Sequence, residues 1–80
     1  MLTEYIQAAM RRAKFEVLEE DKSYYGEIPD CEGVWANEVT EVACRVELES
    51  ALEDWILFRV SKNMPLPTID GLELAVRDVI

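Results

Sequence analysis

The chain has 80 residues, with 8 Lys or Arg against 17 Asp or Glu and no histidine, so its formal net charge is −9 at neutral pH. Half of the residues are hydrophobic, which suits a folded core and excludes the composition of an intrinsically disordered chain. The length predicts one small domain over residues 1–80. Because the charge repels phosphates, direct binding to nucleic acid or to an anionic membrane is disfavoured and a basic protein partner is favoured.

The two cysteines, Cys31 and Cys44, have no histidine with which to complete a zinc site and are too few for a disulfide framework. We therefore expect neither a metal nor a cofactor. The first residues carry neither the basic start nor the apolar run of a signal peptide, and no stretch approaches the ~20 apolar residues of a membrane span. These features predict a cytoplasmic protein.

The first element is predicted to be an amphipathic helix over residues 3–13. Thr3 is suited to cap its N-terminus, and Glu4 lies in the first turn, where the helix dipole favours an acidic side chain. Apolar residues then recur at spacings of three and four, namely Tyr5, Ile6, Ala9, Met10 and Ala13.

Three short antiparallel strands are predicted next. The first begins at Lys14, where apolar and charged residues start to alternate, and the polar run 19–23 turns the chain into a second strand over residues 24–28. Proline and glycine in the segment 29–33 end that strand, and a third follows over residues 34–39.

The sequence leaves open which side chains of the third strand face the core. Val34 with Ala36 is one plausible inward set, and Trp35 with Val39 is the other. A shift of one residue exchanges the two faces of a strand, so both sets remain possible at this point.

A long helix is predicted over residues 41–62, with Thr40 as its N-cap and no Gly or Pro before Pro65. One apolar stripe can cover the sheet: Cys44, Leu48, Ala51, Leu52 and Trp55, with Phe58 at its margin. A second apolar patch lies nearly opposite: Val42, Val46, Leu57 and Val60. Either the first helix or another subunit must cover this patch, and we favour a homodimer or homotetramer interface.

The end of the chain is predicted to form a further strand. Asn63 is suited to a left-handed helix end, and the prolines that follow favour an extended segment. Asp70 and Gly71 indicate a turn, after which Leu72, Leu74 and Val76 alternate with other residues. The predicted fold class is α+β in the order α-β-β-β-α-β, a small antiparallel sheet with one long helix packed on one face and an extra N-terminal helix.

No catalytic site is predicted. Without histidine, a catalytic mechanism would depend on carboxylates, and Glu27, Asp30, Glu32 and Glu38 could hold Mg²⁺ as in a nuclease. Seventeen acidic residues in so short a chain produce such clusters by chance, so a solvated acidic face is favoured and the chain is not expected to be an enzyme. Tyr24 and Tyr25 could stack on bases, but their acidic neighbours disfavour RNA binding.

The middle of the chain resembles a known family. The residues that carry the resemblance are Tyr24-Tyr25-Gly26-Glu27-Ile28-Pro29-Asp30, Gly33-Val34-Trp35-Ala36, Thr40, the helical segment Leu48 to Trp55, and Leu66-Pro67. This ordered set, within residues 14–70, resembles the N-terminal domain of the HicB antitoxin family, which has a partial RNase H-like layout. The resemblance implies a HicB-like fold for this chain.

The chain departs from the family pattern in two places. Many members have a glycine shortly before the capping threonine, where this chain reads Asn37-Glu38-Val39-Thr40. Members often carry a C-terminal DNA-binding domain, for which this sequence has no room before Ile80, so operator binding is not expected. The extra N-terminal helix is expected to mediate packing between subunits, as in short, stand-alone relatives.

The resemblance also implies a partner, a small basic RNase toxin of HicA type that the antitoxin binds directly to prevent mRNA cleavage. The net charge of −9 independently favours a basic partner. The residues expected to form the partner-binding surface are Tyr25, Glu27, Asp30, Glu32, Trp35 and Glu38. The alternative is an orphan HicB-fold oligomer with a structural or regulatory role and no toxin.

Overall fold

The computed structural model describes residues 2–73 and contains two helices and a three-stranded antiparallel sheet. The elements are α1 (Leu2–Arg11), β1 (Lys14–Val17), β2 (Tyr24–Glu27), β3 (Trp35–Glu38) and α2 (Glu41–Ser61). Their order confirms the predicted α-β-β-β-α arrangement. Of the predicted last strand, Leu72 pairs with Ile69 in an isolated antiparallel bridge, and the part from residue 74 onwards lies outside the described residues.

The sheet has the strand order β1-β2-β3, and its register determines which side chains share a face. Phe15 pairs with Gly26 and Gly26 with Ala36, so these three positions lie in one row on the inner face. Val34 and Ala36 are each 3% exposed, whereas Trp35 is 57% exposed. The inward set of the third strand is therefore Val34 with Ala36, and Trp35 faces outward.

Helix α2 covers the inner face of the sheet. It begins after Thr40, whose side-chain oxygen accepts a hydrogen bond from the Ala43 amide at 3.1 Å, as the sequence predicts. Its buried residues are Cys44, Leu48, Leu52 and Ile56. The first three confirm the predicted stripe. Ile56 extends it towards α1, whereas Phe58 at the predicted margin is exposed.

Helix α1 packs its apolar side inside the same chain. Tyr5, Ala8 and Ala9 are fully buried in the core cluster, and the Tyr5 hydroxyl donates a 2.6 Å hydrogen bond to the carbonyl of Pro67. Most of the apolar surface of α1 is thus used within one protomer, while its predicted contribution to subunit packing remains a prediction.

The second apolar patch of α2 is left uncovered by α1. Its four residues are between 42% and 74% exposed: Val42, Val46, Leu57 and Val60. The sequence left two ways to cover this patch, the first helix or another subunit. Within residues 2–73, α1 does not cover it. Contact with another protein chain remains a prediction.

Arg12, the residue that follows α1, forms ion pairs with two loops. Its guanidinium lies 2.9 Å from a carboxylate oxygen of Asp30 and 2.9 Å from one of Asp70. The first contact holds the β2–β3 loop and the second holds the hairpin around Gly71. Asp70 and Gly71 have φ angles of 51° and 76°, which confirms the predicted turn.

The buried Tyr5 hydroxyl predicts a loss of stability at alkaline pH. Burial, with a smaller contribution from Cys31, raises the pKa of Tyr5 from 10.0 to about 12. Since the unfolded chain releases this proton near pH 10 and the folded chain retains it, the contribution is complete below pH 10. It is then lost as the pH rises towards 12, by about 2–3 kcal/mol at most.

The measurement is urea unfolding of the wild type and of Tyr5→Phe between pH 8 and pH 11.5. The variant lacks the bond to Pro67 and should be less stable by about 1 kcal/mol at pH 8. The gap should narrow above pH 10. Buried thiols also titrate at alkaline pH but are common to both proteins, so curves that stay parallel would contradict the assignment to Tyr5.

Candidate protein-interaction surface

The sheet face opposite α2 is covered by none of the elements described for residues 2–73. The register places two rows of side chains on it, and together they form what we term the outer sheet face. The first row is Lys14, Glu27 and Trp35, and the second is Glu16, Tyr25 and Asn37. Five of the six side chains are exposed and Tyr25 is half-buried, so this face is available for contact with another molecule.

A stacked pair of aromatic rings dominates the outer sheet face. The ring centroids of Tyr25 and Trp35 lie 6.2 Å apart with an angle of 24° between the planes. The Tyr25 hydroxyl donates a 3.2 Å hydrogen bond to a carboxylate oxygen of Glu27. Partial burial, this bond and the Glu27 charge raise the pKa of Tyr25. The pair thus offers a large apolar surface beside a carboxylate.

Asn37 stabilises the other end of this face. Its side-chain nitrogen donates to the Ser23 hydroxyl at 2.9 Å and to the Tyr24 carbonyl at 2.8 Å. Ser23 donates in turn to Asp21, and these hydrogen bonds lower the pKa of the Asp21 carboxyl. The network holds the β1–β2 turn against β3 and thereby supports the backbone beside Tyr25.

The structure divides the six predicted partner-binding residues among three places. Tyr25, Glu27 and Trp35 lie together on the outer sheet face. Glu38 belongs to the opposite face, because it pairs with Tyr24 in the row that contains Val17. The remaining two, Asp30 and Glu32, lie in the β2–β3 loop.

Asp30 and Glu32 line a groove of about 320 Å³ between the β2–β3 loop and the C-terminal part of α2. Its other side is formed by Trp55, Arg59 and the segment 65–67. The Arg59 guanidinium lies 4.8 Å from the centroid of the Trp55 ring and donates a 2.9 Å hydrogen bond to the Pro65 carbonyl. Because Arg12 pairs with Asp30, the groove carries less negative charge than its two acidic residues would give it alone.

The two thiols are poor candidates for nucleophiles. Both Cys31 and Cys44 are fully buried. Burial, and to a lesser degree the Asp30 carboxylate, raises the pKa of Cys31 to about 11, and burial also raises the pKa of Cys44. Neither side chain is a thiolate at neutral pH, and the thiolate is the reactive form.

The acidic residues within 2–73 form no metal-binding arrangement. Within the described part of the chain, no group of three or more Cys, Asp or Glu side chains is placed to hold a metal ion. Likewise, neither helix in residues 2–73 combines the length and the apolar character needed to cross a membrane.

The fold is that of a small α+β protein with two helices and a three-stranded antiparallel sheet. A family model described as UPF0150-like matches residues 4–67, and the chain therefore belongs to the UPF0150-like family. Among solved structures, it is similar to the crystal structure of TTHA0281 from Thermus thermophilus. The TM-score is 0.87 and the sequence identity 40%, over 96% of this chain and 95% of that chain. No curated protein sequence matches the chain.

Sequence reasoning missed three members of the outer sheet face, Lys14, Glu16 and Asn37. Their alternation with inward residues is visible in the sequence, but the cross-strand register that places them beside Tyr25 is a tertiary property. It also missed that Arg12 neutralises Asp30, because the two residues are far apart along the chain.

Proposed function

We propose that the protein is a HicB-like antitoxin that neutralises a small basic mRNA-cleaving toxin of HicA type by direct binding. The single observation that carries the proposal is the exposed Tyr25–Trp35 pair on an uncovered sheet face of a strongly anionic protein. The sequence pattern of the second and third strands, which resembles HicB antitoxins, supports the same assignment; both strands lie within residues 4–67, the segment matched by the UPF0150-like family model.

Trp35 is the proposed anchor of the complex. Large aromatic side chains are enriched among the residues that dominate binding energy at protein interfaces, and 57% of Trp35 is exposed in the free chain. Tyr25 stacks on Trp35 and restricts the orientations of its side chain in the free protein. Less conformational entropy is therefore lost when Trp35 is immobilised on binding.

The carboxylates supply the second part of the proposed mechanism. Glu27 on the outer sheet face and Glu32 at the loop groove are both exposed and have no ion pair among the described residues. On a basic RNase, such carboxylates would occupy the positions that otherwise bind RNA phosphates, and the net charge would accelerate association at low salt. The toxin would then be unable to bind mRNA.

The proposal is tested with a small basic protein whose open reading frame lies beside this gene, titrated by calorimetry at 50 mM and 300 mM salt. The absence of such a reading frame would favour the orphan oligomer. We expect a complex at low salt that weakens at higher salt. Trp35→Ala should weaken it at least 30-fold, equivalent to about 2 kcal/mol. Phe58→Ala is the control, since Phe58 is an aromatic side chain that is 55% exposed and belongs to α2 rather than to the sheet.

Two outcomes would count against the antitoxin assignment. The first is the absence of any complex at 50 mM salt, and the second is a complex whose affinity Trp35→Ala leaves unchanged. If the chain fails to bind a basic neighbour and instead forms a stable homo-oligomer, the orphan HicB-fold oligomer becomes the better description. The observation that favours this second candidate is the exposed apolar patch of α2.

A further inference from the structure

The side of α2 that faces away from the sheet combines apolar residues with two carboxylates. We term it the α2 outer face, and it consists of Val42, Val46, Glu49, Glu53, Leu57 and Val60. At about 100° per residue these six positions fall within about 80° of the helix circumference. All six side chains are exposed. Because four large apolar side chains of one helix are left in water, two on either side of the carboxylates, this face is a candidate contact surface.

Two shallow depressions, each of about 300 Å³, lie along the α2 outer face. One is lined by Val46, Glu49, Ser50 and Glu53. The other lies between α2 and the start of α1 and is lined by Leu2, Thr3, Ile6, Glu53, Ile56 and Leu57. Glu53 belongs to both, so the depressions adjoin and α1 forms a wall at one end. A path of this shape fits an elongated element such as a helix.

The two carboxylates at the centre of the path have no partner within the described residues. Neither Glu49 nor Glu53 takes part in an ion pair or hydrogen bond there. The nearby cation Arg45 is held over the ring of Phe15, with its guanidinium carbon 5.0 Å from the centroid. Glu49 also lines a groove with Arg11 and Arg45, but neither guanidinium forms an ion pair with it. The centre of the α2 outer face therefore carries two carboxylates that have no ion pair within the described residues, flanked by apolar side chains.

This charge pattern argues against a second copy as the occupant. In a two-fold antiparallel packing of α2 on α2, the midpoint of the row is residue 51, so Val42 would meet Val60 and Glu49 would meet Glu53. A parallel two-fold packing would place Glu49 against Glu49 and Glu53 against Glu53. Both arrangements bring carboxylates together in an interface from which water is excluded, and like charges there oppose association.

We propose that the α2 outer face binds a cationic amphipathic helix of another protein. Apolar side chains of that helix contact Val46 at one end and Leu57 with Leu2 at the other, while Lys or Arg residues at its centre pair with Glu49 and Glu53. This surface is separate from the outer sheet face, because the sheet lies on the other side of α2. The inference thus extends beyond the antitoxin proposal and does not depend on it.

The probe is a designed peptide of about 18 residues, matching the ~27 Å between positions 42 and 60 at 1.5 Å per residue. On the face that contacts α2 it carries leucine towards both ends and lysine at the centre, and it bears a fluorophore for anisotropy. Glu49→Gln combined with Glu53→Gln should weaken its binding at least 10-fold. Val46→Ala combined with Leu57→Ala should do the same, because the apolar contacts are lost.

A matched control separates a specific surface from general attraction to an acidic protein. Glu47→Gln with Asp54→Asn also removes two negative charges from α2, but at exposed positions outside the α2 outer face. We expect this control and Trp35→Ala to bind the peptide within 2-fold of the wild type. Circular dichroism verifies that each variant is folded.

Three results would overturn the inference. They are the absence of peptide binding to the wild type, equal weakening by the matched control, and wild-type dimers in sedimentation that Val46→Ala with Leu57→Ala dissociates. The last result would assign the face to a second copy. By contrast, a monomeric wild type whose Glu49→Gln, Glu53→Gln variant begins to dimerise would support the charge argument directly.

Discussion

Replacing Leu48 by alanine is expected to lower the free energy of unfolding by about 3–4 kcal/mol. Leu48 is fully buried in the middle of α2, within the cluster that joins this helix to the sheet and to α1. The substitution removes three carbon atoms and leaves a cavity that the surrounding helix and strands can fill only in part. At roughly 0.05–0.15 kcal/mol per residue, a domain of 80 residues has a total stability of about 4–12 kcal/mol, so this loss is a large fraction of it.

Urea unfolding followed by circular dichroism measures this loss. Leu57→Ala removes the same atoms from the same helix at a position that is 65% exposed, and it should change stability by no more than about 0.5 kcal/mol. Similar losses for the two variants would mean that the core does not lie between α2 and the sheet as described. Because Leu57 belongs to the α2 outer face, the comparison is made on the free protein without peptide.

The second large effect is expected at Gly26, where β2 passes closest to its neighbours. A Cβ atom at this position would lie 2.6 Å and 2.8 Å from two ring carbons of Phe15 and 3.3 Å from the Cys44 sulfur. To admit this atom the Phe15 ring must shift, and Arg45, which packs over the ring, must shift with it. Gly26→Ala should therefore destabilise the protein by about 1–3 kcal/mol through overpacking of the inner face.

A double-mutant cycle identifies the clash as the cause. Phe15→Leu shortens the side chain that the new methyl group meets, so Gly26→Ala should cost at least 1 kcal/mol less in that background than in the wild type. Additive effects of the two substitutions would contradict the described approach of Phe15 to Gly26. A loss caused only by backbone conformation would likewise be the same in both backgrounds.

The helices and strands could largely be predicted from local sequence. Thr40 followed by an uninterrupted run to Pro65 is sufficient to begin and sustain α2, and the change of apolar spacing at Lys14 separates α1 from β1. Positive φ angles at Gly33 and Asn63 agree with the turn and the helix end that these residue types predict. In each case the interacting groups are within four residues of one another.

The candidate site was less predictable. The sequence placed Trp35 in the third strand but could not determine whether it faced the core, and it grouped Glu38 with side chains that lie on the opposite face. The pairing of β2 with β3 decides both questions, since a shift of one residue would reverse them. Cross-strand pairing depends on contacts made by both strands and α2 together.

What the sequence alone determined about this protein is its strong negative charge, its class of fold and the order of its elements. Only the tertiary structure decided that Tyr25 stacks on the exposed Trp35, that Arg12 neutralises Asp30, and that Glu49 and Glu53 have no ion pair within residues 2–73. The physical reason is one of range. Periodicity and helix capping act over a few residues, whereas the exposure and charge balance of a surface depend on which distant segments the fold brings beside it.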